Sequence, residues 1–327
     1  MVADLIAAVE ASYASAVDDR EWLREICMKL SEAPRNSISV SGTILEGTDL
    51  GTARYEPVLT DHSHPHSLEI QRTMFRLGDP ESFRKVTFGP PAATMSEVLG
   101  PDFETSQMAV QGLHPWGLRD VLNVISVDVK ARWVGLSFLL SHCMRLNAQE
   151  RMRWSRLAAH LAAGMRLRRK LAEAVAPEAV LHPDGRVEHA EAAAQPKAAR
   201  EVLRSAARAV DRARSRLRRE DPDAALDVWK GLVAGRWSLV DRFESDGRRY
   251  LVARRNDPDV SAAPALTRRE AQVAGYAALG HGNKLIAYEL GLAVSTVANY
   301  LATSCRKLGV RSRLELAPIM MAQQLGT

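Results

Sequence analysis

Residues Ala265–Ala317 read ALTRREAQVAGYAALGHGNKLIAYELGLAVSTVANYLATSCRKLGVRSRLELA. The run Thr267–Glu270 has the form of a capping box, in which the threonine hydroxyl accepts from an early backbone N–H and the glutamate reaches back to the cap. An apolar run at helical spacing follows, and then come Gly280 and Gly282. Glycine readily adopts the left-handed conformation found at helix ends. The pattern therefore predicts a helix that begins after Thr267 and ends before Gly280.

Two further helices are predicted, a short one over Asn283–Leu290 that ends at Gly291 and a third from about Val294 to Leu308. The third helix has an apolar and a polar face, formed by Val297, Leu301 and Leu308 and by Ser295, Asn299, Ala302 and Arg306, respectively. Short polar residues at its start and basic residues at its end suit a helix that enters the major groove by its N-terminus. A second capping box, Ser312–Glu315, predicts a fourth helix.

Taken together, these motifs resemble the LuxR-type helix-turn-helix. LTRRE, GNKLIAYELG, STVANYL and RKLGVRSRLEL follow one another with the family's spacing, over about 55 of the 327 residues. The resemblance implies an all-α, four-helix domain that binds double-stranded DNA. It implies contacts to DNA bases or backbone by Thr296 and Asn299. The whole set of DNA contacts that it implies is Asn283, Lys284, Val294, Ser295, Thr296, Ala298, Asn299, Tyr300, Thr303, Arg306, Lys307, Arg311 and Arg313.

Three positions depart from the family pattern. Ala293 stands where a capping Ser or Thr is usual, at a cost of about 1 kcal/mol. Ala298 replaces a basic residue of many members, and Pro318 lies inside the fourth helix, where proline is tolerated poorly. In many relatives that helix makes the dimer contact, so we expect the domain to depend on upstream helices for a homodimer. The alternative is a helical bundle that has lost DNA binding.

The distribution of charge supports DNA as a partner. Residues 264–327 hold seven Lys/Arg and three Asp/Glu, hence +4, whereas the whole chain carries +5 and the remaining residues only +1. A basic excess on one domain is the electrostatic footprint of a nucleic-acid binder.

The cysteines and the N-terminal sequence predict a cytoplasmic protein with no membrane association. Cys27, Cys143 and Cys305 are far apart and form no CxxC pattern, which suits a reducing compartment. No basic leader precedes the first apolar residues, and no apolar run approaches the roughly 20 residues that a membrane span needs.

Residues 1–175 are predicted to form a sensor that ends in a long helix, capped by Asn147–Glu150 and running through about Ala174. Alternating apolar residues predict strands, and helical spacing predicts short helices over 67–77 and 92–99. The strands are Ser37–Glu46, Arg54–Thr60, Asp120–Lys130 and Arg132–Leu140, of which the last is apolar on both faces as a central strand would be. This order resembles a GAF-type domain with a mixed sheet.

Two groups of side chains in this region suggest chemistry. His62, His64 and His66 alternate, so an extended chain would place all three on one side, compatible with Zn²⁺ or Ni²⁺. We favour the alternative, a solvated loop, and predict no metal or cofactor other than an unknown small-molecule signal. Met108, Trp116 and Trp133 either line a pocket for such a signal or belong to the core, which we favour.

Residues 176–255 contain two predicted hairpins, around Pro183–Gly185 and Asp246–Gly247, and resemble a PAS-like domain. Between them lies a basic helix whose Leu203, Ala206, Val210, Ala213 and Leu217 keep the spacing of a coiled-coil seam. It is a dimer helix, a second nucleic-acid surface, or an amphipathic helix packed on the sheet with a solvated basic face; we favour the last. Residues 256–264 are the predicted linker to the domain at 265–327.

The sequence thus predicts an α+β multidomain protein, with a GAF-like sensor, a small PAS-like α/β domain and the C-terminal helix-turn-helix. It indicates a sequence-specific transcription regulator that forms a homodimer and contacts RNA polymerase. One alternative is a regulator that docks on a protein partner with degenerate DNA reading. Another is an enzyme with an accessory helix-turn-helix, but nucleophile-elbow, P-loop and paired-carboxylate motifs are missing from the sequence, so we predict no catalysis.

Overall fold

The computed structural model describes residues 5–14, 18–31, 37–46, 54–87, 89–128, 132–172, 176–215, 217–235, 237–243, 248–256 and 266–310, together with Leu316 and Met320. The predicted Asp246–Gly247 turn, the linker after Asn256, and Pro318 with nearly all of the fourth helix lie outside these residues. Among the described residues, no helix by itself has the length and apolar composition to cross a bilayer. Two consecutive helices, Asn283–Leu290 and Val294–Leu308, meet that test only together and are bent by 106° at their break.

The N-terminal half contains a five-stranded sheet. Its strands are β1 (Ser37–Glu46), β2 (Arg54–Val58), β3 (Ala92–Thr94), β4 (Asp120–Asp128) and β5 (Arg132–Leu140), in the order β2-β1-β5-β4-β3. The central position of β5 confirms what its two apolar faces predict. Every described pairing is antiparallel, so the expectation of a mixed sheet is wrong. The reason is that β1–β2 and β4–β5 are each consecutive, paired strands, and β1 and β5 run in opposite directions.

Helices cover both faces of this sheet. On one side lie α1 (Leu5–Ser12), α2 (Asp19–Lys29) and α7 (Ala148–Ala172); on the other lie α3 (Ser67–Leu77), α4 (Pro80–Thr87), α5 (Met95–Leu99) and α6 (Gln107–Gly112). Short 3₁₀ turns over Pro101–Thr105 and His114–Trp116 complete the second side.

The segment 92–99 is not one helix. It divides into β3 and α5 because Thr94 and Glu97 form a capping box that starts a helix in the middle of the segment. Three strand residues are too few to show a period of two, so the sequence pattern could not reveal β3.

The long helix α7 forms the centre of the molecule. Asn147 caps it as predicted, since its Oδ1 accepts from the backbone N–H of Gln149 at 3.0 Å and of Glu150 at 2.9 Å. Gly164 allows α1 to cross closely, because a Cβ at that position would lie 2.3 Å from the carbonyl oxygen of Ser12. The packing of α1 against α7 therefore depends on the missing side chain.

A second, four-stranded antiparallel sheet follows α7. It has the order β7-β6-β9-β8, with β6 (Ala179–Leu181), β7 (Val187–Ala190), β8 (Trp237–Phe243) and β9 (Arg249–Arg255). Between the two hairpins lie a 3₁₀ turn (Ala192–Ala194), α8 (Lys197–Arg214), α9 (Leu217–Glu220) and α10 (Pro222–Gly235).

The apolar seam of α8 is used within the chain. Leu203, Ala206, Val210 and Ala213 are buried in one cluster with Trp229 of α10, as an amphipathic helix packed on its own domain would be. The same cluster of buried apolar residues runs from α1 through both sheets to β9. The boundary at residues 175 and 176 stays a prediction.

The C-terminal helices are α11 (Arg268–Ala278), α12 (Asn283–Leu290) and α13 (Val294–Leu308). We call residues 266–310, with Leu316 and Met320, the reader. Leu316 and Met320 are buried in one apolar cluster with Ala271 and Ala274 of α11. The upstream end of the predicted linker is anchored, since Asn256 is buried and its Nδ2 donates to the carbonyl of Ala163 at 2.7 Å.

Candidate DNA-binding face and ligand cavity

Local signals set the ends of the reader helices. Thr267 and Glu270 form the predicted capping box at the start of α11. Gly280, Gly291 and Gly309 take positive φ values of 81°, 63° and 69° after α11, α12 and α13. A side chain is strained in this conformation, so the glycines fix the turns between the helices. The turn at Gly291 in particular sets the angle between α12 and α13.

One face of α13 is open to solvent. Ser295, Asn299, Ala302 and Arg306 are exposed, whereas Val297 is buried in the cluster that also holds Ile286 of α12. This division is the one that the sequence pattern predicts. The polar face is therefore free for a partner while the apolar face holds the helix in place.

The start of α13 has no side-chain cap. Ala293 occupies the N-cap position and makes no side-chain hydrogen bond, as expected for alanine. The first backbone N–H groups of a helix then remain for another acceptor, and such groups favour anions. The N-terminal end of α13 is thus chemically suited to a phosphate group.

The predicted DNA contacts fall into three groups. Lys284, Val294, Ser295, Ala298, Asn299 and Arg306 are exposed, whereas Asn283, Thr296, Tyr300 and Thr303 are half-buried. Tyr300 packs on the apolar cluster between α11, α12 and α13. Arg311 and Arg313 lie outside the described residues. All of these contacts stay predictions.

Lys307 has a partner within the reader. Its Nζ lies 2.7 Å from Oε2 of Glu270, the capping-box glutamate of α11. The hydrogen bond from Lys307 lowers the pKa of the Glu270 carboxyl, helped by the Thr267 backbone. This ion pair ties the C-terminal end of α13 to the first helix, so Lys307 has a structural role that the sequence did not indicate.

The reader is docked on the N-terminal half through α12. The hydroxyl of Tyr288 lies 3.1 Å from Nε2 of His160 on α7, and the hydroxyl of Tyr13 lies 2.8 Å from Nδ1 of the same ring. Tyr288 Oη also donates to the carbonyl of Leu226 on α10 at 3.5 Å. A neutral imidazole protonated at Nε2 satisfies this chain, because it donates to Tyr288 and accepts from Tyr13.

We call the contact of Tyr288 with His160 and Tyr13 the dock. Burial controls the charge states of its side chains. Burial lowers the pKa of His160 to about 3, and Arg156 contributes in the same direction. Burial also raises the pKa of Tyr288 above its usual value. The Arg156 guanidinium lies 5.1 Å from the centre of the Tyr288 ring and pairs with Asp227 of α10 at 2.6 Å. The contact between reader and α7 is therefore neutral at its centre and ionic at its edge.

A cavity of about 160 Å³ lies between the five-stranded sheet and the helices α3–α6. Small or polar residues and large apolar residues line it from the sheet, and Met and Phe side chains with a few polar ones line it from the helices. The residues that line it include Ser41, Thr43, Asn123, Gly135 and Ser137 from the sheet and Met74, Phe75, Phe83 and Met108 from the helices. A Cβ on Gly135 would meet no atom within 4 Å, which marks open space at the centre of the sheet.

Polar groups are placed at one side of this cavity. Gln71 Nε2 donates to Ser41 Oγ at 2.7 Å, and its Oε1 accepts from Tyr55 Oη at 3.3 Å. The hydroxyl of Ser67, 1% exposed, has no hydrogen-bond partner among the described residues. The side chains that line the cavity are all uncharged. This lining suits a neutral, mainly apolar molecule with a polar group near Gln71 and Ser67.

The two groups of side chains singled out in the N-terminal sequence have different outcomes. Met108 and Trp133 line the cavity, whereas Trp116 does not and stacks on His66 with 3.7 Å between ring centres. The chain over His62–His66 forms a loop, the alternative that we favoured. Turn hydrogen bonds, Ser63 N to Thr60 O and Ser67 N to His64 O, fold it, so it is not the extended chain that would place the three histidines on one side. Among the described residues no group of three or more His, Cys, Asp or Glu is placed to hold a metal ion.

The sequence did not indicate Gln71, Ser67, His160 or Tyr288. The cavity residues have a weak signal, namely small and polar residues on one face of β1 and β5, such as Ser41, Gly135 and Ser137. The docking residues have no signal in the sequence, because Tyr288 and His160 are separated by 128 positions.

Comparison with known proteins identifies the C-terminal domain. Residues 264–320 match the family described as "GerE: Bacterial regulatory proteins, luxR family". The reader is therefore a LuxR-family helix-turn-helix domain, the DNA-binding module of bacterial regulatory proteins. No curated protein sequence matches the chain.

Among solved structures, one that aligns with the chain is that of SdiA in complex with octanoyl-rac-glycerol. The alignment covers 95% of this chain and 97% of that chain, at 11% sequence identity and a TM-score of 0.25. A TM-score this low does not show a shared arrangement of the two chains. The GAF-like and PAS-like assignments stay predictions.

Proposed function

We propose that the chain is a cytoplasmic transcription regulator that binds double-stranded DNA through the exposed face of α13, under the control of a ligand in the N-terminal cavity. The observation that carries this proposal is the exposed polar face of α13 in a domain that matches the LuxR family. We further propose that it acts as a homodimer, which places two copies of α13 in successive major grooves, and that it contacts RNA polymerase.

Asn299 tests the reading of bases. It is exposed at the middle of the polar face of α13, and asparagine can bond to adenine in the major groove. Replacement by alanine is expected to remove sequence preference, at about 1–3 kcal/mol of discrimination per base contact. Footprinting of the full-length protein on genomic fragments measures this. A variant that protects the same site as wild type would show that Asn299 does not read the sequence.

Two adjacent basic residues provide a matched test of phosphate contact. Arg306 is exposed and has no ion partner among the described residues, whereas Lys307 is held by Glu270. Arg306→Gln is expected to lower the slope of log Kd against log salt by roughly 0.9, the contribution of one phosphate contact. Lys307→Gln removes the same charge and should change this slope less. The reverse order would place the phosphate contact at Lys307.

The cavity provides the ligand site of this proposal. An apolar protein cavity of about 150 Å³ is large enough to bind a molecule such as benzene, and the cavity here is of that size. Native mass spectrometry of protein purified from its own cells would detect such a molecule as an added mass.

Gly135→Leu gives the control for this experiment, because the new side chain would occupy the open space above β5. The variant should lose the added mass and the binding of an apolar fluorescent probe. Ala198→Leu, at an exposed position of α8, adds apolar bulk outside the cavity and should retain both. Equal binding by the two variants would mean that the ligand occupies another place.

The dock at His160 connects the two activities in this proposal. The helix α7 packs on the face of the sheet opposite the cavity and carries His160, which bonds to Tyr288 of the reader. A ligand that shifts the sheet would therefore alter the position of α12. The test is hydrogen exchange: Tyr288→Phe leaves His160 Nε2 without its partner, at a cost of about 1–3 kcal/mol, and should speed amide exchange in α12. Added ligand should change exchange at the same amides in wild type.

A further inference from the structure

We propose that the exposed face of α8 is a second DNA-binding surface, which contacts the phosphate backbone of the duplex held by the reader. The proposal rests on the proposed function, because it takes DNA as the molecule that the reader binds. It assigns a partner to a basic helix face for which the fold itself has no use.

Four arginines follow one another along this face. Arg200, Arg204, Arg208 and Arg212 are spaced by four residues and all are exposed. Four residues of an α-helix rise about 6 Å, so the four arginines extend over about 18 Å. Lys197 is exposed at its beginning. We call these five residues the basic ladder.

The ladder is largely free of internal partners. The guanidinium groups of Arg200 and Arg212 make no hydrogen bond or ion pair with any described residue. Arg204 lies 3.6 Å from Glu201, an exposed pair of the kind that contributes little to stability. Arg208 Nε donates to the backbone carbonyl of Asp184, a neutral acceptor. The charge of the ladder is thus not used within the fold.

Arginines with a structural role in the same region are arranged differently. Arg214 pairs with Glu10 at 2.7 Å and with Asp241 at 2.8 Å, and Arg218 pairs with Glu10 at 3.4 Å. These two half-buried guanidinium groups form ion pairs with carboxylates of α1 and β8. Within the part of the chain that the structure describes, no carboxylate of another element pairs with a ladder arginine.

The acids on the ladder face do not cancel its charge. The five ladder residues carry +5, Glu201 and Asp211 of α8 carry −2, and the neighbouring Asp184 carries −1, which leaves +2. Asp211 is also bonded by Arg249 of β9 at 3.2 Å, which adds a further positive charge to its surroundings. An anion would therefore meet a net positive face along the whole of α8.

Double-stranded DNA fits this face better than single-stranded nucleic acid. The helix α8 contains no aromatic residue, and proteins that bind single strands use aromatic side chains on which bases stack. The guanidinium group of arginine can donate two parallel hydrogen bonds to phosphate oxygens, and a duplex carries one negative charge per about 1.7 Å of its axis. A second site in the same chain as the reader meets the bound DNA intramolecularly, and short flexible linkers give effective concentrations in the millimolar range for such contacts. Such contacts position the protein without reading sequence.

The test compares two full-length quadruple variants that remove the same charge. In R200Q/R204Q/R208Q/R212Q the ladder is neutralised. In R72Q/R76Q/R84Q/K85Q four exposed basic residues of α3 and α4 are neutralised. The ladder variant is expected to lower the slope of log Kd against log salt by roughly 3–4, at about 0.9 per phosphate contact, and to lose hydroxyl-radical protection beside the core site. It should keep the preferred sequence of wild type.

The control variant should leave slope and protection unchanged. A double variant, R200Q/R212Q, removes the two unpartnered guanidiniums and should give about half of the change in slope. It retains the contacts of Arg204 and Arg208, so it keeps the test valid if the quadruple variant fails to fold.

Several outcomes would overturn the proposal. Equal losses in ladder and control variants would indicate a general charge effect, and an unchanged slope in both ladder variants would show that α8 does not touch the duplex. If Asn299→Ala loses sequence preference while the ladder variants match wild type, the reader function stands and the ladder proposal fails. If wild type shows no salt-dependent binding to any duplex, the proposed function fails as well.

Discussion

The two faces of the five-stranded sheet are built on opposite principles, although they belong to the same strands. On the face toward α1, α2 and α7, residues such as Ile44, Leu136 and Phe138 are buried in the main apolar cluster. On the face toward α3–α6, Ser41, Gly135 and their neighbours surround a cavity. Along one strand, adjacent residues therefore serve packing and binding in alternation. The filled face carries the helix on which the reader docks, and the hollow face has room for a ligand.

The largest expected effect is on the filled face. Phe138 is fully buried, and its ring lies 4.9 Å from that of Trp154 on α7. Phe138→Ala should lower the free energy of unfolding by about 3–5 kcal/mol, the usual cost of removing a buried phenyl ring, measured by chemical denaturation. Phe83→Ala, at a half-buried position that lines the cavity, should cost less than half as much. Equal costs would mean that the cavity face is packed as tightly as the other.

A glycine on each face sharpens the comparison. A Cβ on Gly42 of β1 would lie 2.7 Å from the side chain of Leu23, whereas one on Gly135 of β5 would meet nothing within 4 Å. Gly42→Ala should therefore destabilise the protein by about 1–3 kcal/mol through overpacking. Gly135→Ala should stabilise it by about 0.5–1 kcal/mol, since glycine is unfavourable inside a strand. Melting temperatures that fall in both variants would contradict the open space above Gly135.

The smallest effect concerns pH and the helix on the filled face. The pKa of His160 is lowered to about 3 by burial, from 6.5 in an unfolded chain. Below pH 6.5 the unfolded state binds a proton that the folded state does not. The free energy of unfolding therefore decreases as the pH is lowered, by at most about 1.4 kcal/mol per pH unit. Above pH 6.5 this contribution does not vary. The free energy of unfolding of wild type should therefore fall more between pH 6.5 and 5.5 than that of His160→Gln; parallel curves would show that His160 is charged when folded.

The two ends of the chain differ in how much their sequence could predict. The reader helices were predicted to within a residue because their signals are local: a capping box at Thr267, and glycines that must take positive φ at Gly280 and Gly291. Strand β1 was predicted because alternation is also a local property, and β5 because its run is apolar on both faces.

Features that depend on distant residues were not predicted. Alternation shows that Ser41 and Thr43 share a face, but not that the helices opposite leave a gap above them. Trp133 is buried, as a core residue would be, but the sequence could not show that it also lines the cavity. The dock at Tyr288 depends on a histidine 128 positions upstream, and no local pattern carries that information.

The anchor at Asn256 limits how far the reader can travel once it leaves α7. Asn256 is bonded to Ala163 and to Ser238 Oγ, and nine residues separate it from Leu266. At 3.3–3.6 Å per residue, these ten steps of the chain reach at most about 36 Å, which is about one turn of B-DNA. Undocking would thus enlarge the search volume of the reader to a sphere of that radius without releasing it. In a dimer, the distance between the two Asn256 anchors then determines which half-site spacings the pair of readers can span.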